Sequence, residues 1–206
     1  MEKTGYLIAF EGIDGSGKST LSKLVLRQLE VAHVPALLTK EPGGTPQGQK
    51  IRAIVHEHTL TPQAEFLLFA ADRAEHIAQV IKPALEQGKI ILSDRMADSS
   101  RAYQGYGRQI DLTFVEQITQ WVMQGVKPDL IVYSKIDAAT ACARLTQRHE
   151  PLTIFEREKQ LFFERVIEGF ETIFAGRDDV LVLDAHRSPT QLTHQVITEL
   201  QQRLKR

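Results

Sequence analysis

The sequence predicts an α/β fold: a five-stranded parallel sheet with helices on both faces, arranged around a phosphate-binding loop (P-loop). Three observations carry that expectation. Short apolar runs alternate with stretches of helical periodicity along the 206 residues, the pattern of parallel strands joined by crossover helices. The first apolar run leads into Gly12-Ile-Asp-Gly-Ser-Gly-Lys-Ser19, of the form G-x-x-x-x-G-K-[ST]. The polar and glycine-rich segments follow the first three apolar runs, and open α/β sheets bind ligands at the carboxyl ends of their strands.

Taken in order, residues 6–10 read as a buried strand, and residues 20–29 as a helix with its apolar stripe at Leu21, Leu24, Val25 and Leu29. Residues 35–39 are a second strand. The loop at 40–45 carries Pro42, Gly43 and Gly44, which forbid regular structure. A helix follows at about 49–56. Residues 63–87 form a long helical stretch with Pro62 before it and Gly88 after it, the usual order of these two residues at helix ends. Pro83 kinks or interrupts it. Residues 89–93 are a third strand, 97–106 and 113–124 helices, 129–133 a fourth strand. Helices at 138–147 and 156–174 precede a fifth strand at 180–183. Ser188-Pro-Thr-Gln191 reads as a capping box that opens the last helix. There is no internal repeat.

The P-loop reading has a physical basis. Gly12, Gly15 and Gly17 let backbone N–H groups converge on phosphate oxygens. Ile13, Asp14, Ser16 and Thr20 complete the loop and the start of the helix, whose N-terminus adds partial positive charge. Lys18 is placed to reach β- and γ-phosphates, and the Ser19 hydroxyl to bind Mg²⁺. The flanking strand and helix separate this from a glycine-rich turn with an incidental lysine.

Composition narrows the field. Lys and Arg number 25 against 26 Asp and Glu, a net charge of −1, which makes no general case for a nucleic-acid or membrane surface. The one cysteine, Cys142, excludes an internal disulfide and a cysteine-based zinc site, and its alanine-rich surroundings suggest a small buried helix residue. His56 and His58 lack the i, i+4 spacing of a helical metal pair. No apolar run approaches the roughly 18 residues of a membrane span, and the N-terminus runs straight into the first strand, so the expectation is a cytoplasmic protein.

Several motifs together resemble the bacterial type of the thymidylate (dTMP) kinase family. They are Phe10-Glu-Gly-Ile-Asp-Gly-Ser-Gly-Lys-Ser-Thr20, Thr39-Lys-Glu-Pro-Gly-Gly-Thr45, Phe66-Leu-Leu-Phe-Ala-Ala-Asp-Arg73, and Asp94-Arg95 followed by Ser99-Ser-Arg-Ala-Tyr-Gln-Gly105. The resemblance extends through Lys127-Pro-Asp-Leu130 and Glu164-Arg-Val-Ile-Glu-Gly-Phe170, and so covers nearly the whole chain. It implies a nucleoside monophosphate kinase-like fold in one domain over 1–206, with a short lid at about 147–155. It also implies phosphorylation of dTMP to dTDP by ATP with Mg²⁺, in dTTP synthesis, and a homodimer with neither nucleic-acid nor membrane partners.

Phe69 and Arg73 stand at i and i+4 and share a helix face. They pair a flat π-surface with a forked donor. On spacing alone, Phe66 and Phe69 read as core and Arg73 as a solvated edge residue. The resemblance implies instead that Phe69 stacks on thymine and Arg73 bonds its carbonyl. Ser100, Tyr103 and Gln104 share a face if helical, an ordinary polar face in themselves. The resemblance makes them readers of the thymine edge, with Tyr103 beside the sugar. Arg95 at a strand end suits a bidentate clamp on the acceptor phosphate or the transferring group. Arg52, Glu41 and Pro42 are implied to position the substrate, Asp94 to hold Mg²⁺ water, and Glu11 to act near the transfer point. Each charged group alternatively reads as a surface ion-pair partner.

The expected lid departs from the family pattern. Thr153 and Ile154 stand where an Asp-Arg pair is common, and Gly15 where the eukaryotic type has arginine. Arg148 is the candidate for the lid cation, with Arg144 one helical turn earlier. Lys40 replaces a usual arginine, Met96 an aromatic or histidine, and Ser134-Lys135 an apolar-acidic pair. Two other readings stand beside dTMP phosphorylation: another nucleoside monophosphate or deoxynucleoside kinase, and a catalytically weak P-loop nucleotide-binding protein.

Overall fold

Strands β1 (Tyr6–Glu11), β2 (Ala36–Lys40), β3 (Ile90–Asp94), β4 (Leu130–Lys135) and β5 (Val180–Asp184) form one sheet. The computed structural model describes residues 5–147 and 160–204. All strand pairs are parallel, in the order β2-β3-β1-β4-β5. The central strands alternate side chains between two faces, and each face carries its own core. Leu7, Ala9, Ile91, Ile131 and Tyr133 pack with Ile77, Ile81, Phe163, Val166 and Phe170. Ile8, Phe10, Leu92 and Val132 pack on the opposite face with Leu21, Val25, Leu29, Val196 and Leu200. This is the doubly covered sheet expected from the alternating pattern.

The helices are α1 (Lys18–Val31), α2 (Pro46–Glu57), α3 (Pro62–His76), α4 (Lys82–Glu86), α5 (Ala97–Ser100), α6 (Leu112–Met123), α7 (Ala138–Thr146), α8 (Gln160–Phe174) and α9 (Pro189–Leu204). Helix α2 begins earlier than expected, because Thr45 caps it through the Gly48 N–H at 2.9 Å and Pro46 takes its first turn. Residues 62–86 are helical without a break but not α-helical throughout, and Gln87 is already in the turn that follows. A π-helical turn, Ile77–Ile81, joins α3 to α4. Pro83 lies directly after that π-helical turn, inside the continuous helix, and the turn takes up the interruption that its missing N–H makes in the hydrogen-bond ladder. The expected helix at 97–106 likewise has four α-helical residues followed by a π-helical segment, Arg101–Gly107.

Ser188 and Gln191 make the expected capping box: the Gln191 N–H donates to Ser188 Oγ at 3.3 Å, and the Ser188 N–H to Gln191 Oε1 at 3.2 Å. Cys142 is a free thiol, half-buried in α7. Among the described residues no helix is long and apolar enough to cross a membrane. The expected helix start at 156–159 and nearly all of the expected lid, with Arg148, Thr153 and Ile154, lie outside the described residues.

Candidate active site

The carboxyl ends of β1, β2 and β3 converge on one cavity of about 320 Å³, within the range of small-ligand sites. The loop after β1 turns through left-handed backbone at Gly15, φ 85°, and Gly17, φ 86°, before α1 starts at Lys18. L-side chains disfavour that region, so glycine is required at the turn. Lys18 is buried and folded back: its Nζ donates to the Ile13 carbonyl at 3.4 Å and lies 3.5 Å from Asp14 Oδ1. Burial, then Arg95, lowers its pKa from the usual lysine value. Ser19 and Lys23, one turn apart on α1, line the cavity beside it.

Arg95 leaves β3 in a left-handed conformation, φ 76°, unusual for a residue with a side chain. The turn aims its guanidinium across the cavity at the P-loop. Nη2 donates to Asp14 Oδ1 at 2.6 Å, and Nη1 to the Gly12 carbonyl at 3.1 Å and to Ser99 Oγ at 3.0 Å. The Tyr103 hydroxyl closes the arrangement by donating to Asp14 Oδ2 at 3.0 Å and accepting from the Asp14 N–H at 3.1 Å. Burial alone would raise the Asp14 pKa, but Arg95 and Lys18 hold it well below the carboxylate range. Burial pushes the Tyr103 phenol well above its usual value.

A second network supports the far wall. Glu41 ends the chain's exit from β2 and is buried with its carboxylate shared between two partners. Arg73 Nε donates to Oε2 at 2.7 Å, and His76 Nδ1 pairs with Oε1 at 2.9 Å. Arg73 also donates to Ser100 Oγ at 3.1 Å and to the Met96 carbonyl at 3.0 Å. The reading of Arg73 as a solvated edge residue is therefore corrected: it is 2% exposed. His76 Nε2 pairs with Thr39 Oγ1 at 2.6 Å, and Asp72 Oδ1 accepts from the Gly43 N–H at 2.9 Å. Burial, then Glu41, pushes the Asp72 carboxyl up to about 6. Gly44 lies flat on the His76 ring, where a Cβ would come within 2.5 Å of Cδ2. Phe66 is core, fully buried and edge-on to Phe114, as expected.

Of the residues singled out in the sequence, the cavity brings together Asp14, Lys18, Ser19, Glu41, Pro42, Arg52, Phe69, Arg73, Asp94, Arg95, Ser100, Tyr103 and Gln104. Gly12, Ile13, Gly15, Ser16, Gly17 and Thr20 build the loop itself and do not line this cavity; Ile13 packs into the core. Glu11 does not reach the cavity. Its carboxylate is buried behind Arg95, accepting from the Met96 N–H at 2.9 Å and from Ser99 Oγ at 2.5 Å. Its position just before the P-loop suggested the transfer point, but the side chain turns inward to hold the start of α5. Burial, then Asp98, raises its pKa to about 7.

Arg144 is tied to the Ala185 carbonyl at 2.9 Å. Lys23, Lys40, His56 and Ser99 also line the cavity and had not been singled out as site residues. The i, i+4 spacing of Ser19 and Lys23 carried that signal. A hydrated divalent cation suits the P-loop end. Asp94 Oδ1 is buried without a hydrogen-bond partner among the described residues, in the cavity that Ser19 also lines.

Residues 10–197 match the family model described as thymidylate kinase. The chain is 45% identical over 188 residues to a thymidylate kinase of Pelotomaculum thermopropionicum, covering 89% of this chain and 87% of that protein. It is 39% identical over 206 residues to one from an Exiguobacterium species, covering 98% and 97%. It is 43% identical over 185 residues to one from Clavibacter sepedonicus, covering 88% of each. The family match runs through every element that borders the cavity, from the P-loop to the π-helical segment after β3, and this chain belongs to the thymidylate kinase family.

Proposed function

We propose that this chain transfers the γ-phosphoryl group of ATP to dTMP, giving ADP and dTDP. The observation that carries the reading is one cavity lined at one end by Lys18, Ser19, Asp94 and Arg95, and at the other by Phe69, Arg73, Ser100, Tyr103 and Gln104. The first set suits phosphates and the second a base and sugar. An oxygen of the dTMP phosphate attacks the γ-phosphorus in line, one P–O bond forming as the bond to ADP breaks. That nucleophile is already anionic near neutral pH, so positioning and charge neutralisation carry the step.

Lys18 neutralises β- and γ-oxygens once it swings from Asp14, and Arg95 clamps the acceptor phosphate or the transferring group. Ser19 and Asp94 would hold a hydrated Mg²⁺, which supplies charge neutralisation across the β- and γ-phosphates. Phe69 offers its ring to the base and Arg73 its donors to a base carbonyl, with Tyr103 beside the sugar. Arg52 and Pro42 flank the acceptor phosphate. Glu41 acts through Arg73, and Glu11 through the segment that carries Arg95 and Ser99. A lid over 147–155 with Arg148 as its cation, within one kinase domain, completes the reading on the sequence alone. Exposed Leu67, Phe114 and Trp121 on α3 and α6 support a homodimer through these helices. Light scattering over a concentration series tests it.

The test of the reaction is coupled ADP release over a panel of nucleoside monophosphates with ATP and Mg²⁺. The expected result is the highest kcat/KM for dTMP. Equal use of AMP or dCMP would move the assignment to another kinase of this scaffold, and no turnover with any acceptor to a nucleotide-binding role. Cytoplasmic location and a small-molecule substrate, without nucleic-acid partners, belong to the same proposal.

A further inference from the structure

We propose that Glu65, anchored by Arg108, determines which end of the Gln104 amide faces the base, and so sets the preference for a uracil-type base over a cytosine-type base. This rests on the reading of the cavity as the dTMP site. Gln104 lines the cavity yet is only 2% exposed. Its Nε2 donates to Glu65 Oε1 at 2.8 Å. Arg108 donates to the same carboxylate, Nε at 3.2 Å to each oxygen and Nη2 at 3.0 Å to Oε2. Glu65 is 5% exposed in the first turn of α3, where the helix terminus favours an anion. Arg108 in turn lies over the Phe162 ring, 4.7 Å from its centroid.

A glutamine amide is ambiguous by itself, because its two ends have the same shape. Its neighbours decide the orientation. A carboxylate held by arginine only accepts, so it draws the NH₂ end and repels the oxygen. Gln104 Oε1 is thereby left without a hydrogen bond among the described residues. Arg73, on the same cavity, offers only donors. An acceptor beside a donor is the complement of the imide edge of thymine or uracil, an N–H next to a carbonyl. Cytosine reverses both groups: its N3 would meet Oε1 lone pair to lone pair, and its amine would meet the arginine. Glu65 touches no substrate in this account and is a positioning residue.

The test is Glu65→Gln, which keeps shape but offers both a donor and an acceptor, and so frees the Gln104 amide to turn over. kcat/KM of the full chain is measured for dTMP, dUMP and dCMP. The expected result is a roughly tenfold or greater fall in the dTMP-to-dCMP preference. The dTMP-to-dUMP ratio depends on the methyl group alone and should stay within about twofold. An unchanged dTMP-to-dCMP ratio, or a loss of both ratios together as a loosened pocket would give, overturns the proposal. Gln104→Met keeps length without an amide. Calorimetric binding of dTMP and dCMP to it should show the same lost discrimination, and full retention would overturn the proposal even if Glu65→Gln does not fold. Wild-type protein that uses AMP as well as dTMP would sink the reading of the cavity itself. Wild-type preference for dTMP with unmoved ratios in both variants would sink only the role of Glu65.

Discussion

Replacing Gly15 with alanine adds one methyl group to the P-loop, and the structure says what it meets. A Cβ there would lie 2.5 Å from the carbonyl oxygen of Ala141 and 3.0 Å from its carbonyl carbon. Both are backbone atoms of α7, and neither can rotate aside. Ordinary contact begins at 3.4 Å, so loop and helix must part by about 0.9 Å. The left-handed backbone adds about 1–2 kcal/mol for any L-residue, and overpacking of this kind costs about 1–3 kcal/mol. Gly17→Ala isolates the first term, because φ is 86° there but nothing stands within 4 Å. Gly15→Ala should therefore be less stable than Gly17→Ala by about 1–3 kcal/mol, roughly 2–12 °C in Tm for a chain of this size. Calorimetry of the two variants side by side, without nucleotide, is the assay. Equal melting temperatures would mean that α7 yields freely and that the contact with Ala141 does not constrain the loop. An arginine at position 15 starts from the same Cβ and meets the same obstacle.

Lys18→Ala should remove most turnover while leaving Tm within a few degrees. It takes away the phosphate cation, one weak backbone hydrogen bond and the 3.5 Å ion pair with Asp14, which keeps its bonds to Arg95 and Tyr103, and near-wild-type turnover with dTMP would refute the P-loop assignment. The Glu11 carboxyl, raised by burial and then by Asp98 to about 7, keeps a proton that the unfolded chain loses near 4.5. Its ionisation therefore costs stability as pH rises through that window. Glu11→Gln should lose less stability than wild type between about pH 5 and about pH 8, read as urea midpoints, and parallel profiles would contradict the assignment. Arg148→Ala should lower kcat by roughly 10³-fold if that side chain neutralises the transition state, as arginine fingers do. Arg144→Ala should change kcat little and stability by about 0.5–1.5 kcal/mol, the worth of its bond to Ala185. A large kcat effect at Arg144 alone would exchange the two roles.

What could be read in the sequence was local. The P-loop is eight consecutive residues between a strand and a helix. Phe69 and Arg73 declare a shared face by spacing, and Arg95 follows its strand directly. The supports of the site come from far along the chain. Glu65 meets Gln104 across 39 positions and His76 meets Glu41 across 35, and no helical periodicity encodes such pairs. Glu11 misled for the same reason: its neighbours in sequence form the P-loop, but its hydrogen bonds go to residues more than 80 positions away. The loop glycines announced a turn, and only the packed structure shows that Gly44 is small because the His76 ring lies against it.

The π-helical segments make helix length itself part of the site. An α-helix advances about 100° per residue, and a π-helical turn holds one residue more, so the chain leaves it in a different rotational phase. Arg101–Gly107 is such a turn, and it directs Tyr103 to Asp14 and Gln104 to Glu65. Removing Arg101 or Ala102, which precede both side chains, would preserve every strand, cap and motif letter outside the segment. It would also swing one of these side chains more than a quarter-turn away from its partner. Spacing between Arg95 and Arg108 is therefore under the same constraint as the identity of the residues within it, and in this stretch an insertion or deletion is a more severe change than a substitution.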